Sequence, residues 1–422
     1  MYGLRLKKRF TLTSLGAAYT RLWTANVVSN IGDGCSLVAF PWLASTLTRD
    51  PLLISGALVA SRLPWGLFSL FVGVVVDRFD RRYVIVIANL VRGLVMAGLA
   101  AFLIADALSI WALYAFILVL GAFEVLADTA SGALLPRIVP PEQLESANGR
   151  LWSAQSAANN ILGPPLGGAL LALGLAVPFF VDAASFLLSA GLLLLLPGQF
   201  RVQRDQSEPR ASWRAQLREG FAFVWSVPAL KVLFLSEAVV NATATMAIST
   251  YVLYVREVLH LSSVAYGLLM TAGAIGVITG GLAAAGITER LSLHRVVILF
   301  FAVATLAHLL TGLLPIVWVV AVGAILFTFV AMLWNVVTVS LTQRIVPDAL
   351  MGRVGGVNRW FSFGLMPIGA LAAAGVIASF EPYFGRTTAL RMPFVVAAGV
   401  FLVTGLLSAP AFTERALVET TS

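Results

Sequence analysis

Twelve apolar stretches, each long enough to cross a bilayer and joined mostly by short basic loops, leave this chain few ways to fold. A helix needs about 20 residues to span the hydrocarbon layer. The stretches fall near residues 22–47, 52–76, 83–105, 109–134, 147–173 and 177–197, and again near 228–254, 263–287, 295–314, 316–341, 359–379 and 391–413. Composition agrees, because 11% charged residues is far below the roughly one quarter that a water-facing surface requires. The net charge of +8 is carried in loops between apolar runs and not on one basic face, which speaks against nucleic acid as a partner.

Loop charge also gives an orientation. Arg78, Arg81, Arg82, Arg137, Arg150, Arg201, Arg204, Arg210, Arg214, Arg218, Arg290, Arg295, Arg344 and Arg353 fall on one side of the alternating spans, against Arg49, Arg256, Arg386 and Arg391 on the other. The positive-inside rule then places both termini in the cytoplasm of a multi-pass protein of the plasma (inner) membrane. The first apolar run contains Asp33 and has no convincing cleavage site after it, so it reads as an uncleaved span.

The two halves repeat. Gly73 and Gly280 are 207 residues apart, and Arg137-Ile138-Val139-Pro140 recurs at the same offset as Arg344-Ile345-Val346-Pro347. A same-orientation repeat of that length predicts two halves related by an axis along the membrane normal. The expected architecture is an all-α membrane protein with twelve transmembrane helices in two pseudo-symmetric six-helix bundles, residues 1–197 and 228–422. Residues 198–227 form a cytoplasmic linker, in which Trp213, Leu217, Phe221 and Val224 share one helical face. A helix on the inner membrane surface and a solvated linker both suit that segment.

The loop after the second span runs from Gly73 through Asp77, Arg78, Asp80, Arg81 and Arg82, and resembles the signature of the major facilitator superfamily, with Asp80 where the family usually has glycine. Span five carries Gly163, Pro164, Pro165, Gly167 and Gly168, similar to the glycine-proline motif of its antiporter branches, with Asn159 in place of an earlier glycine. Ser29 to Gly34 and Phe40-Pro41-Trp42-Leu43 resemble the branch that holds the macrolide-efflux proteins and the enterobactin exporter. The resemblance covers essentially the whole chain. It implies the major facilitator fold, alternating access, and a cytoplasmic gate in which Gly73, Asp77, Arg78, Arg81 and Arg82 meet an acid of span four. Asp128 matches that acid best, with Glu124 one turn earlier.

Charges inside a membrane span are costly, about 2.5–3.5 kcal/mol each on insertion scales, and mark function or pairing. Asn26, Asn30 and Asp33 share one face of span one, and Arg62 in span two lies at a comparable depth. Asp33 is therefore the candidate proton or cation-substrate site and Arg62 its expected partner, with a fixed structural ion pair as the alternative. Arg92 in span three is a candidate partner for Glu124. In the second half Glu237, Asn241, Thr245 and Ser249 step by four, and Asn335, Thr338 and Thr342 form a similar stripe. Cavity lining and interhelical hydrogen bonding both account for these stripes. A carboxylate such as Glu237, if unpaired, has to be neutral or reach a cavity. His308 stands alone and reads as a packing histidine.

The only lysines are Lys7, Lys8 and Lys231, none at the end of a Walker A loop, and the three histidines lack zinc-protease spacing. With a single cysteine, Cys35, no internal disulfide can form. No enzyme, metal or cofactor is expected. The leading expectation is a monomeric secondary transporter that exports a hydrophobic or amphipathic small molecule, an antibiotic, drug or siderophore-like compound, against protons. An importer or passive facilitator of the same fold, or a non-transporting receptor, are the alternatives.

Overall fold

The computed structural model describes residues 15–198, 200 and 213–413, and among these the regular structure is helical throughout. In the first half the helices are α1 (Ala17–Leu47), α2 (Pro51–Arg78), α3 (Arg81–Ile104), α4 (Ile110–Ile138), α5 (Leu144–Ala157), α6 (Gly163–Leu173) and α7 (Val177–Leu194). The second half holds α8 (Trp213–Ser226), α9 (Pro228–Ser249), α10 (Tyr251–Leu253), α11 (Ser263–Arg290), α12 (Leu293–Leu313), α13 (Val317–Ile345), α14 (Asp348–Gly364), α15 (Met366–Ala389) and α16 (Met392–Ser408).

Among the described residues eleven helical segments are long and apolar enough to cross a membrane. The twelfth is α5 with α6, which run into each other through a π turn at Ala158–Leu162. Its first half falls short on apolarity because Asn148, Arg150, Ser153, Gln155 and Ser156 crowd it. The π turn has an evident cause. Pro164 and Pro165 have no N–H to give to the carbonyls four residues back, and their rings crowd those carbonyls. The helix relieves this by widening one turn, as π bulges do. A second π turn, Tyr254–Val258, follows the break at Thr250 and α10, and continues the α9 span.

Chain contacts divide the protein into two compact units. One gathers the chain up to Ala39 and Leu63–Arg204; the other gathers Phe40–Arg62 and the chain from Asp205 onward.

In the first unit the basic signature is folded more tightly than a loop. Residues 73–78 are the last turns of α2, and only Phe79 and Asp80 separate them from α3. Asp80 caps α3, one carboxylate oxygen accepting the Arg82 N–H at 2.9 Å while the other accepts the Phe200 N–H at 2.9 Å. A glycine at this position could do neither. Arg81 donates to the Ala133 carbonyl at 2.7 Å and Arg82 to the Leu196 carbonyl at 2.5 Å, so these arginines tie the α2–α3 junction to the last turns of α4 and to the chain just after α7. Tyr19 pins the start of α1 to α5 by donating to the Ala147 carbonyl at 2.9 Å.

Small residues let α1 and α6 pack backbone against backbone. A methyl on Gly34 would lie 2.9 Å from the Gly163 Cα, and one on Gly167 would lie 2.8 Å from the Cys35 Cα. Lipid offers no hydrophobic drive for helix association, so this close van der Waals fit is a main source of adhesion.

In the second unit α8 docks on α14. Val224 is buried, Gly220 abuts the Arg353 backbone, and Arg353 pairs with Glu219. Phe221 packs against Trp360 and Phe361 at centroid distances of 5.7 and 5.9 Å. The apolar face expected of this helix therefore has protein beneath it at Phe221 and Val224; the side chains of Trp213, Arg214 and Leu217 lie outside the described set.

The same unit grips the end of α1. Arg256 donates to Ser45 Oγ at 2.5 Å and stands 5.0 Å over the Trp42 ring. Arg386 holds both carboxylate oxygens of Glu257, at 2.6 and 3.1 Å, and donates to the Arg49 carbonyl at 2.6 Å. The π turn presents Arg256 and Glu257 together for these contacts.

Because the α1–α6 seam has no room for a side chain, Gly167→Val is expected to lower the thermal midpoint of the detergent-purified protein, by an overpacking cost of about 1–3 kcal/mol. Gly132→Ala, at a glycine with open space around it, is the control and leaves the midpoint nearly unchanged.

Candidate functional site

The strongest concentration of buried charge lies in the first unit, where α1, α3 and α7 meet. Asp33 on α1 accepts from Arg92 on α3 at 2.6 Å. The arginine side chain is 6% exposed and the aspartate 28%, so the pair is sealed on one flank and reachable on the other. Phe186 on α7 lies flat beneath the guanidinium, 4.0 Å from ring centroid to Cζ, a cation–π contact strengthened by desolvation. The Arg92 Nε is buried without a partner.

A second acid completes the cluster. Asp182 on α7 is fully buried and accepts from Ser36 on α1 at 2.5 Å and from Ser185 at 3.2 Å. Asp33 alone touches Arg92 within 4 Å among the described residues, while Asp182, Glu124 and Asp128 act on the guanidinium only through longer-range electrostatics.

The asparagines expected beside Asp33 form a relay. The Asn30 amide donates to the Asn26 carbonyl at 2.7 Å, and Asn30 Oδ1 accepts from the Asn159 amide at 2.8 Å. Asn159 sits in the π turn, so the widened turn and the replaced glycine together aim one amide at α1. Its own Oδ1 is buried without a donor. Gly163, Pro164 and Gly167 are buried against this same stretch of α1, with Gly168 also buried and Pro165 partly so.

The pairing of Asp33 with Arg62 needs correction. Arg62 is exposed, and the carboxylate takes Arg92 as its partner. Each arginine lies eleven residues from the start of its helix, so depth could not choose between them. The α3 face chooses, since Asn89, Arg92, Gly93 and Met96 form its buried side. The alternative pairing of Arg92 with Glu124 gives way to the same ion pair.

Of the gate residues, Arg81 and Arg82 are engaged by backbone carbonyls and Arg78 is exposed, while the Asp77 side chain lies outside the described set. Glu124 is half-buried and Asp128 exposed, one turn apart on α4, and among the described residues neither forms an ion pair within 4 Å. In the second unit Glu237 accepts from Ser362 at 2.6 Å, Asn241 is partly buried and Asn335 exposed. Thr338 and Thr342 bond within their own helix. His308 Nδ1–H donates to the Ala304 carbonyl at 2.9 Å and the ring packs edge-on to Phe327 at 4.6 Å, as a packing histidine does.

Asp182 was the residue that motif reasoning passed over. Its signal was present as a lone acid in an otherwise apolar run, Val177–Leu194.

Membrane-crossing helices in two halves, with charges held inside them, define a polytopic transporter. The Major Facilitator Superfamily family model matches residues 22–370, and the chain belongs to that superfamily. The multidrug efflux pump Tap of Mycolicibacterium fortuitum is 29% identical over 386 residues, 88% of this chain and 92% of that protein. The enterobactin exporter EntS of Citrobacter koseri is 27% identical over 373 residues, 86% of each chain. Among solved structures, a bacterial homologue of the human lysosomal transporter Spinster superposes with a TM-score of 0.76 at 14% identity, covering 96% of this chain and 97% of its own. That likeness establishes the fold alone.

If the Asp33–Arg92 pair holds α1 to α3, Asp33→Asn leaves a buried cation unpaired. It is expected to cost about 3 kcal/mol, read as a drop in thermal midpoint, whereas Asp33→Asn combined with Arg92→Gln recovers most of the loss. Equal midpoints for the single and double variants would mean the pair carries no coupling energy.

Proposed function

We propose that this chain is a secondary active exporter of amphipathic small molecules, driven by proton entry through the cluster around Arg92. The observation that carries the reading is the Asp33–Arg92 ion pair inside membrane-spanning helices, with the buried Asp182 joining α7 to α1 beside it. Such a cluster changes its net charge when a proton arrives, and a change in net charge alters the relative cost of conformations that expose or bury it. Asp33 is the carboxylate in direct contact with Arg92 and is partly reachable, and so the proposed site at which the proton acts. Arg92 is the fixed counter-charge that a proton on Asp33 releases.

Export as the direction, and a drug-like or siderophore-like cargo, are supported by the efflux relatives. The excess of loop arginines on one side supports the inner membrane with cytoplasmic termini. Glu124 and Asp128 on α4, with Asp77, Arg78, Arg81 and Arg82 at the α2–α3 junction, are assigned to the cytoplasmic gate by the family resemblance.

The experiment is accumulation of dyes, macrolides and siderophores in efflux-deficient cells, with and without the protein and with and without a protonophore. Lower accumulation that the protonophore restores is the expected result. Asp33→Asn should abolish the protonophore-sensitive part with the protein still present in the membrane. Lower accumulation that is indifferent to the protonophore would exclude proton drive. Raised accumulation would make the chain an importer.

A further inference from the structure

The second unit holds a carboxylate that the cluster around Arg92 does not account for. Glu237, in the middle of α9, has one oxygen accepting from Ser362 Oγ at 2.6 Å. Its other oxygen, Oε2, is buried with no donor. One turn before Ser362 on α14, and so on the same side of that helix, Asn358 Oδ1 is also buried with no donor. Two acceptors are thus unmatched on the seam between α9 and α14.

Among the described side chains no cation resolves this. Helices α8, α14, α15 and α16 pack on α9. Among the described side chains, Arg353 is engaged by Glu219, and Arg386 by Glu257 and Glu381. Lys231, on α9 itself, stands 5.5 Å over the Trp225 ring. Arg218 and Arg359 are exposed, and α16 has no charged residue. Among the described side chains the other acids of these helices, Glu219 on α8 and Glu381 on α15, are those same partners, as is Glu257 on the π turn. Glu237 therefore has no counter-ion within 4 Å among the described residues, unlike Asp33, which has Arg92.

A single proton would settle the account. On Oε2 it converts an acceptor into a donor, and the Asn358 carbonyl is an acceptor that needs one. Ser362 keeps its bond to Oε1 throughout. The geometry points to Glu237 as a second proton-carrying site, occupied in this conformation and held by Ser362 and Asn358, so that each half of the transporter carries its own proton. This inference rests on the proton-coupled reading for its role in transport, but not for the protonation itself. Discharge then requires α9 and α14 to separate far enough to hydrate Oε2, because a charged oxygen left buried without a donor is disfavoured.

The test is infrared spectroscopy of the purified full-length protein in a maltoside detergent, which has no ester carbonyl, with ¹³C-glutamate labelling to separate glutamates from aspartates. A protonated glutamic-acid carbonyl band that shifts on labelling is expected in the wild type. Glu237→Gln should remove it while the protein elutes as a monodisperse peak. Asn358→Leu, which keeps Glu237 in place, should move the band upward in frequency because the carboxyl O–H loses its acceptor; this variant serves if Glu237→Gln does not fold. In proteoliposomes, Glu237→Gln should export with one proton fewer per substrate than the wild type. No labelled carboxyl band in the wild type, or a band indifferent to both substitutions, overturns the assignment even where proton-driven export is intact. Protonophore-insensitive export with the band present overturns the transport role of the proton and leaves its location standing.

Discussion

A guanidinium buried in a membrane span has to be matched, and the matching of Arg92 organises the first half of this transporter. Asp33 meets it from α1, Phe186 supports it from α7, and Asp182 on α7 turns back to Ser36 on α1. Three helices are thereby fixed to one another by a handful of polar contacts. Around them α1 must come close enough to α6 for backbones to touch, which is why Gly34 and Gly163 face each other. An extra methyl on either would push α1 outward and lengthen the bonds that match the charges. Packing and electrostatics are here one constraint.

The π turn belongs to the same arrangement. Two successive prolines leave carbonyls that a regular helix would have used, and the widened turn places Asn159 where its amide reaches Asn30. A motif that reads in sequence as a bend is, in three dimensions, a device for handing a polar group to the helix that carries Asp33. The unmatched Oδ1 of Asn159 and the unmatched Nε of Arg92 mark the region as one not fully satisfied by its own side chains. Sites that bind and release something are expected to have that character.

Much of the fold was readable in advance because lipid imposes a simple rule, that spans be long and apolar. The rule placed most of the helices to within about five residues, span five included, and missed most at span eleven, expected over 359–379, where the helical segment runs Leu350–Ala389. Depth was readable too, since Asp33, Arg62 and Arg92 can all be counted inward from helix ends. What counting cannot supply is azimuth, the direction a residue faces relative to other helices. Arg62 and Arg92 are equivalent by depth and opposite by azimuth, one exposed and one 6% exposed beside Asp33. Asp80 illustrates a related blind spot. The sequence marks it only as a departure from the family glycine, whereas in the structure it is the cap that ties α3 to Phe200.

The central claim is that proton movement through the Arg92 cluster and substrate movement are one process. The most direct test is to reconstitute the purified protein in liposomes that enclose a pH-sensitive dye, and to add a transported amphiphile with no imposed proton gradient. Substrate uptake into the vesicles should drive protons outward, alkalinising the lumen, and Asp33→Asn should abolish the pH change. Substrate uptake at the wild-type rate with no pH change would contradict the account.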